Sequence, residues 1–309
     1  MNNFLRNSYK YLLWEHGYRL FMRLRGYRLL SKPNDSSFPG AFRILVFHDV
    51  PESQRKAFDR LVRHLLDVHG ILTPEEAEAR LEGKAPLGSN GRVPYLLTFD
   101  DGFSSNVAVA RDILDQLGLK AIFFLCPGLM DISREKHREA IARYLFEGWL
   151  SEDKITDDMS FMSWSNAEKL LESGHTIGSH TLHHLKLSNL KGEERHREIV
   201  ASADRLESSL GTQIKWFAYP FGDVGSIDSS SLRIIAGRYR FCCSGLRGLN
   251  STATRPMELL REFVDLASPF EFQDLILNGG MDFRHQKKVK QLAELVSAVA
   301  APIETPLIA

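Results

Sequence analysis

Short apolar, β-prone runs recur along the chain at Ile44 to Phe47, Tyr95 to Thr98, Ala121 to Leu125, Thr176 to Gly178, Trp216 to Tyr219 and Phe241 to Ser244. Between them, apolar residues take helical spacing over Val107 to Leu117, Ala167 to Glu172 and Glu193 to Leu210. Strands that are apolar throughout, alternating with amphipathic helices, predict a parallel sheet with crossover helices. The stretch Met130 to Met162 breaks the alternation. It reads as a helical, acidic insertion that either shapes one rim of a groove or decorates it. No internal repeat or low-complexity tract is visible.

The first thirty residues have a different pattern. Arg6, Lys10, Arg19, Arg23, Arg25 and Arg28 interleave with Phe4, Tyr9, Leu12, Leu13, Trp14, Leu20, Phe21, Met22 and Leu24. This predicts a basic amphipathic helical extension over residues 1–38, resting on an anionic membrane surface or packed across the main domain, 39–309. It holds no apolar run of about 18 residues and no signal-peptide core. The expected location is therefore the cytoplasm, with the inner membrane face as the peripheral alternative.

Composition adds bounds. A chain of 309 residues that is 43% hydrophobic can bury one large core, and an α/β barrel needs about 250 residues. Lysine and arginine number 39, against 39 aspartate and glutamate, so no global basic field favours nucleic acid. The cysteines, Cys126, Cys242 and Cys243, lie in apolar runs without metal-ligand spacing, which suits core packing in a reducing compartment.

The chemistry concentrates in two stretches, Thr98-Phe99-Asp100-Asp101-Gly102 and His180-Thr181-Leu182-His183-His184. A divalent metal held by two imidazoles and one carboxylate keeps open positions for water and a carbonyl. His180 and His184 would share one face if the segment after Gly178 turned helical. Asp100 and Asp101, leaving a strand, would point to opposite sides, one to bind metal and one to move protons. Metal coordination lowers the pKa of water to about 7, and amide or ester hydrolysis follows. His175, in an apolar run, reads as a buried histidine bonded to backbone, and His183 as a neighbour or surface residue.

These two motifs, in this order, resemble those of the NodB-homology polysaccharide deacetylases, carbohydrate esterase family 4. The resemblance runs from about Phe42 to Val264. Phe217-Ala218-Tyr219-Pro220-Phe221-Gly222 is similar to the third motif of the branch that includes deacetylases of poly-N-acetylglucosamine-type polymers, but lacks the arginine that many members carry there. The resemblance implies a distorted (β/α) barrel of about seven strands. It also implies Asp100 as general base and Asp101, His180 and His184 as metal ligands. The backbone N–H of Phe221 would hold the oxyanion, with Pro220 fixing its loop, and Tyr219, Pro220, Phe221 and Arg261 are the expected substrate-binding residues. The late Leu-x-x-His motif has no match, so His48, ending the first strand, is the candidate general acid, with Asp49 beside it to raise its pKa. Arg261 stands where a late Leu-x-Arg-x-x-Val element would place a substitute for the missing arginine. Trp164, Trp216, Phe217, Tyr219 and Phe221 are either a platform for sugar rings or core.

The implied activity is removal of N-acetyl groups from a bacterial glycan. Zinc is the expected metal, and cobalt, nickel or manganese would fit the same ligands. Two alternatives stay open: hydrolysis of another acyl group, such as an O-acetyl ester or a formamide, and a catalytically silent glycan-binding barrel.

Overall fold

The computed structural model describes residues 38–84 and 92–300. The extension predicted over residues 1–38 thus lies, but for its last residue, outside the described residues. Eight parallel strands form one curled sheet: β1 (Arg43–Phe47), β2 (Ile71–Leu72), β3 (Tyr95–Phe99), β4 (Ile122–Leu125), β5 (Thr176–Ser179), β6 (Trp216–Ala218), β7 (Phe241–Cys243) and β8 (Glu262–Phe263). The spatial order is β7-β6-β5-β4-β3-β1-β8, with the short β2 beside β3. Each predicted strand is present within a residue or two of its expected ends. The sheet closes toward a distorted barrel because the stretch from Leu259 to Phe263 spans both edges. Leu259 bridges to Cys243, while Glu262 and Phe263 pair with Leu45 and Val46 of β1.

Strand residues alternate between two cores, as the pleat requires. Ile44, Leu96, Ile122, Phe124, Trp216, Ala218, Phe241 and Cys243 fill the barrel interior. Leu45, Phe47, Leu97, Phe99, Phe123, Leu125, Phe217 and Cys242 pack outward under the helices. Burial on both faces explains why the runs read as apolar throughout. Gly178 is required in β5, since a Cβ there would lie 2.5 Å from the Phe124 ring.

The predicted helices are observed as Ser105–Leu117, Trp164–Glu172 and Gly192–Leu210, the first and last continuing through wider π-type turns at Ala110–Leu114 and Arg197–Ala201. The insertion carries a third π-type turn, Ile141–Leu145. β8 is held from below by a buried ionic cluster: Glu262 accepts from Arg43 at 2.6 Å and from Arg247 at 2.8 Å, and Arg43 also reaches Asp282 at 2.8 Å. Among the described residues, no helix is long and apolar enough to cross a membrane.

His175 is buried as expected. Its Nδ1 accepts from the Ala121 amide at 3.2 Å, and its Nε2 lies 3.3 Å from Asp115. Burial pushes its pKa down to about 4, despite the opposing charge of Asp115. A group depressed below its unfolded value of about 6.5 has no pH effect above that value. Below it, the unfolded chain takes a proton that the folded chain refuses. Stability attributable to His175 should therefore fall by roughly 3 kcal/mol between pH 6.5 and pH 4 and then level off. Denaturant unfolding of His175→Gln across this window should show a correspondingly shallower pH slope than wild type.

Candidate metal and hydrolytic centre

The catalytic residue types meet at the C-terminal ends of the strands, the face where a (β/α) barrel carries its chemistry. β3 ends in Asp100, Asp101 and Gly102; β5 runs into His180; β6 into the Tyr219-to-Gly222 loop; and β1 into His48. They border a cavity of about 650 Å³, lined also by Arg261, by Phe146, Trp149 and Met159 of the insertion, and by Phe263. The insertion therefore forms a rim of the cleft.

Backbone strain concentrates here. Among the described residues, the non-glycine positions with left-handed φ are Asp101 (70°), Glu147 (47°), Thr181 (65°), His184 (60°) and Phe221 (63°). Four of them line the cavity, and Thr181 sits between the two histidines. Such conformations persist only where the surroundings over-determine them, and they cluster at functional sites.

Two expectations are corrected by this geometry. The segment from His180 to His184 is a loop, not a helix. Its left-handed residues fold it back, and the two rings come within 5.0 Å by centroid. Nor do Asp100 and Asp101 diverge: the left-handed turn at Asp101 breaks the strand alternation, so both face His180. Its Nε2 is 3.8 Å from Asp100 and 3.4 Å from Asp101.

Asp101, His180 and His184 each offer one ligand atom, and all three atoms lie within 4.8 Å of one another. Asp101 Oδ1 is 3.4 Å from the Nε2 of both histidines. It is buried without a hydrogen-bond partner, an arrangement that calls for a cation. His180 Nδ1 is 2.7 Å from the Ala218 carbonyl, and His184 Nδ1 is 3.0 Å from that of Tyr144. A carbonyl can only accept, so each Nδ1 carries the proton and each Nε2 turns its lone pair inward. Bonds of about 2.0–2.1 Å to a tetrahedral metal place ligand atoms about 3.3–3.4 Å apart, so the residues fit a divalent ion. Burial tends to raise Asp101, but the neighbouring imidazoles of His180 and His184 hold its carboxyl below the usual range. Burial lowers His184 to about 4, against the charge of Asp101, which keeps it neutral as a ligand must be.

Asp100 is a separate unit. Arg261, 2% exposed, grips it through both guanidinium nitrogens at 2.7 and 2.8 Å and donates its Nε–H to the Ser244 carbonyl at 2.7 Å. Burial alone would raise Asp100; the Arg261 charge outweighs it and holds the carboxylate ionised. Arg261, the residue just before β8, thus meets the carboxylate that a substitute arginine was expected to orient. The carboxylate oxygens each keep a further lone pair for a proton.

The other expected site residues divide. His48 is exposed at the cavity, its ring 5.9 Å from Phe263. Asp49 accepts a hydrogen bond from Ser105 at 2.6 Å. Phe221 is 40% exposed, lines the cavity and packs 4.8 Å from the His184 ring. Of the expected substrate-binding residues, Phe221 and Arg261 line the cavity, whereas Tyr219, 1% exposed in the outer core, and the buried Pro220 do not border it. Trp216 and Phe217 are likewise core, and Trp164 packs under Arg205. His183 is no ligand: it binds Glu198. The Tyr144 and Ala218 carbonyls escaped the sequence because a backbone acceptor carries no residue signature.

Comparison with known proteins points to one family. Residues 88–235 match the family described as polysaccharide deacetylase. The chain is 25% identical over 191 residues to the Bacillus subtilis (strain 168) protein YxkH, covering 60% of this chain and 58% of that protein. It therefore spans well under two thirds of that relative's length. Among solved structures, it is similar to the Streptococcus pyogenes deacetylase PplD in complex with acetate (TM-score 0.58, 21% identity, 77% of this chain and 99% of that one). It is also similar to IcaB from Ammonifex degensii (TM-score 0.55, 21% identity, 78% and 97%). A third likeness is to the BpsB deacetylase domain from Bordetella bronchiseptica (TM-score 0.58, 18% identity, 76% and 98%). At these identities the structural likenesses speak to the fold.

Removing the guanidinium leaves the Asp100 charge buried and uncompensated, so Arg261→Ala should lose about 3–5 kcal/mol of unfolding free energy in chelator-treated protein. Adding Asp100→Asn should return part of that loss, and a double-mutant cycle measures the coupling.

Proposed function

We propose that this chain, a member of the polysaccharide deacetylase family through residues 88–235, is a metal-dependent hydrolase that removes N-acetyl groups from a bacterial glycan or glycan precursor. The observation that carries this reading is the pairing of two distinct carboxylates. Asp101 lies with two oriented imidazoles around a point suited to a cation, and Asp100 is held apart by Arg261. A divalent metal, with zinc suiting the ligand set, would be held by Asp101, His180 and His184. When bound, it supplies a Lewis acid that activates water and polarises the acetyl carbonyl.

The protein's own residues perform the remaining steps. Asp100, ionised and fixed by Arg261, takes the proton of the attacking water as general base. The backbone N–H of Phe221 serves the developing oxyanion, its strained loop presenting a preorganised donor. His48, exposed in the cleft, delivers a proton to the departing amine. Apolar walls from Phe146, Trp149, Met159 and Phe263 give the sugar surfaces to pack on.

The test is acetate release from N-acetylglucosamine oligomers by metal-loaded protein. Asp100→Asn should lower turnover by about 10²–10⁴-fold while metal stays bound. Asp101→Asn and His180→Ala should lose the metal itself, read by equilibrium dialysis. Undiminished release in all of these variants, or in chelator, would sink the proposal.

A further inference from the structure

The metal-ligand loop is an unfavourable piece of backbone. Thr181 and His184 both have left-handed φ, at 65° and 60°, and the residues between them lack helical or sheet hydrogen bonds of their own. Something outside the loop must hold it.

That support comes from Glu198, which is 2% exposed in the π-type turn Arg197–Ala201. One carboxylate oxygen accepts the His183 backbone N–H at 2.8 Å, and the other accepts from the His183 ring Nδ1 at 2.7 Å. The Glu198 carbonyl also accepts the Leu182 N–H at 3.1 Å. From the opposite side, the Gly128 N–H donates to the Leu182 carbonyl at 2.9 Å. Gly128 sits so close that an added Cβ would lie 2.5 Å from the His183 ring and 2.7 Å from the Leu182 carbonyl. Of the four peptide units joining the ligands, the two that flank Leu182 are thereby gripped between Glu198, through its carboxylate and its carbonyl, and the bare backbone of Gly128.

We infer that Glu198 is a positioning residue for the metal centre, with Gly128 as its counter-surface, setting the separation of His180 and His184 without touching metal or substrate. His183 is the handle through which Glu198 acts, which gives this third histidine of the motif a role. The inference rests on the reading of Asp101, His180 and His184 as metal ligands, and the experiment separates the two.

Co2+ is titrated into chelator-treated wild type, His184→Ala, Glu198→Ala, Glu198→Gln and Gly128→Ala, reading the dissociation constant and the visible absorption of the bound ion. Wild type should bind and His184→Ala should not; binding by neither or by both overturns the ligand reading itself. Glu198→Ala should bind about 10–100-fold more weakly, the usual cost of losing a group that orients a ligand, with an altered absorption band. Glu198→Gln should stay within about threefold, because its amide can accept the His183 N–H and donate to the ring in its other tautomer. Gly128→Ala should weaken binding by displacing the loop without removing a polar group. A folded Glu198→Ala with wild-type affinity and spectrum overturns the inference. Should that variant not fold, Glu198→Asp, too short to bridge, replaces it: weaker binding supports the inference and unchanged binding overturns it.

Discussion

The ion pair of Arg261 with Asp100 ties the open barrel to its chemistry. A guanidinium buried to 2% exposure must find acceptors for its donors. It finds them on two strand ends, the Ser244 carbonyl after β7 and the Asp100 carboxylate after β3. Its guanidinium also lies over the ring of Phe124, 5.4 Å from the centroid, in the barrel interior. Satisfying Arg261 therefore brings the Leu259-to-Phe263 stretch across the gap in the sheet and orients one carboxylate toward the cleft. Closure of the fold and orientation of the Asp100 carboxylate are consequences of the same fork.

The two carboxylates diverge in role because their surroundings differ. Asp100 has a permanent cation and two charge-assisted hydrogen bonds, so its charge is satisfied by protein. Asp101 has an unpartnered oxygen facing two imidazole lone pairs, so its charge is satisfied only by something added. Adjacent residues of one type thus meet different surroundings through the left-handed backbone of Asp101.

Helical departures from ideal geometry serve the same centre. The π-type turn Ile141–Leu145 ends a helix whose last carbonyls lack intrahelical donors, and that of Tyr144 receives His184. The π-type turn Arg197–Ala201 carries Glu198 to the His183 peptide. The insertion that interrupts the strand and helix alternation is therefore a structural part of the site as well as its rim.

Much of this was legible along the chain, for definite reasons. Strands buried on both faces must be apolar throughout, so β1 and β3 to β7 announce themselves; β2 and β8, two residues each, are too short to leave a pattern. Asp100, Asp101, His180 and His184 are visible because hydrolytic chemistry demands those side chains at strand ends. Their arrangement was a tertiary matter. Spacing alone suggested a helix for the histidines, whereas strained loop backbone, held by Gly128 and Glu198, brings them together. Tyr219 and Pro220 sit in a motif, but packing turns them inward, while Phe221 is turned out by its left-handed backbone. The sequence by itself determined the sheet, its catalytic edge and the identity of the reactive groups, because periodicity and residue chemistry are local properties. The tertiary structure decided which carboxylate meets Arg261 and which carbonyls orient the imidazoles, because backbone acceptors and contacts between residues as distant as Asp100 and Arg261 leave no local trace.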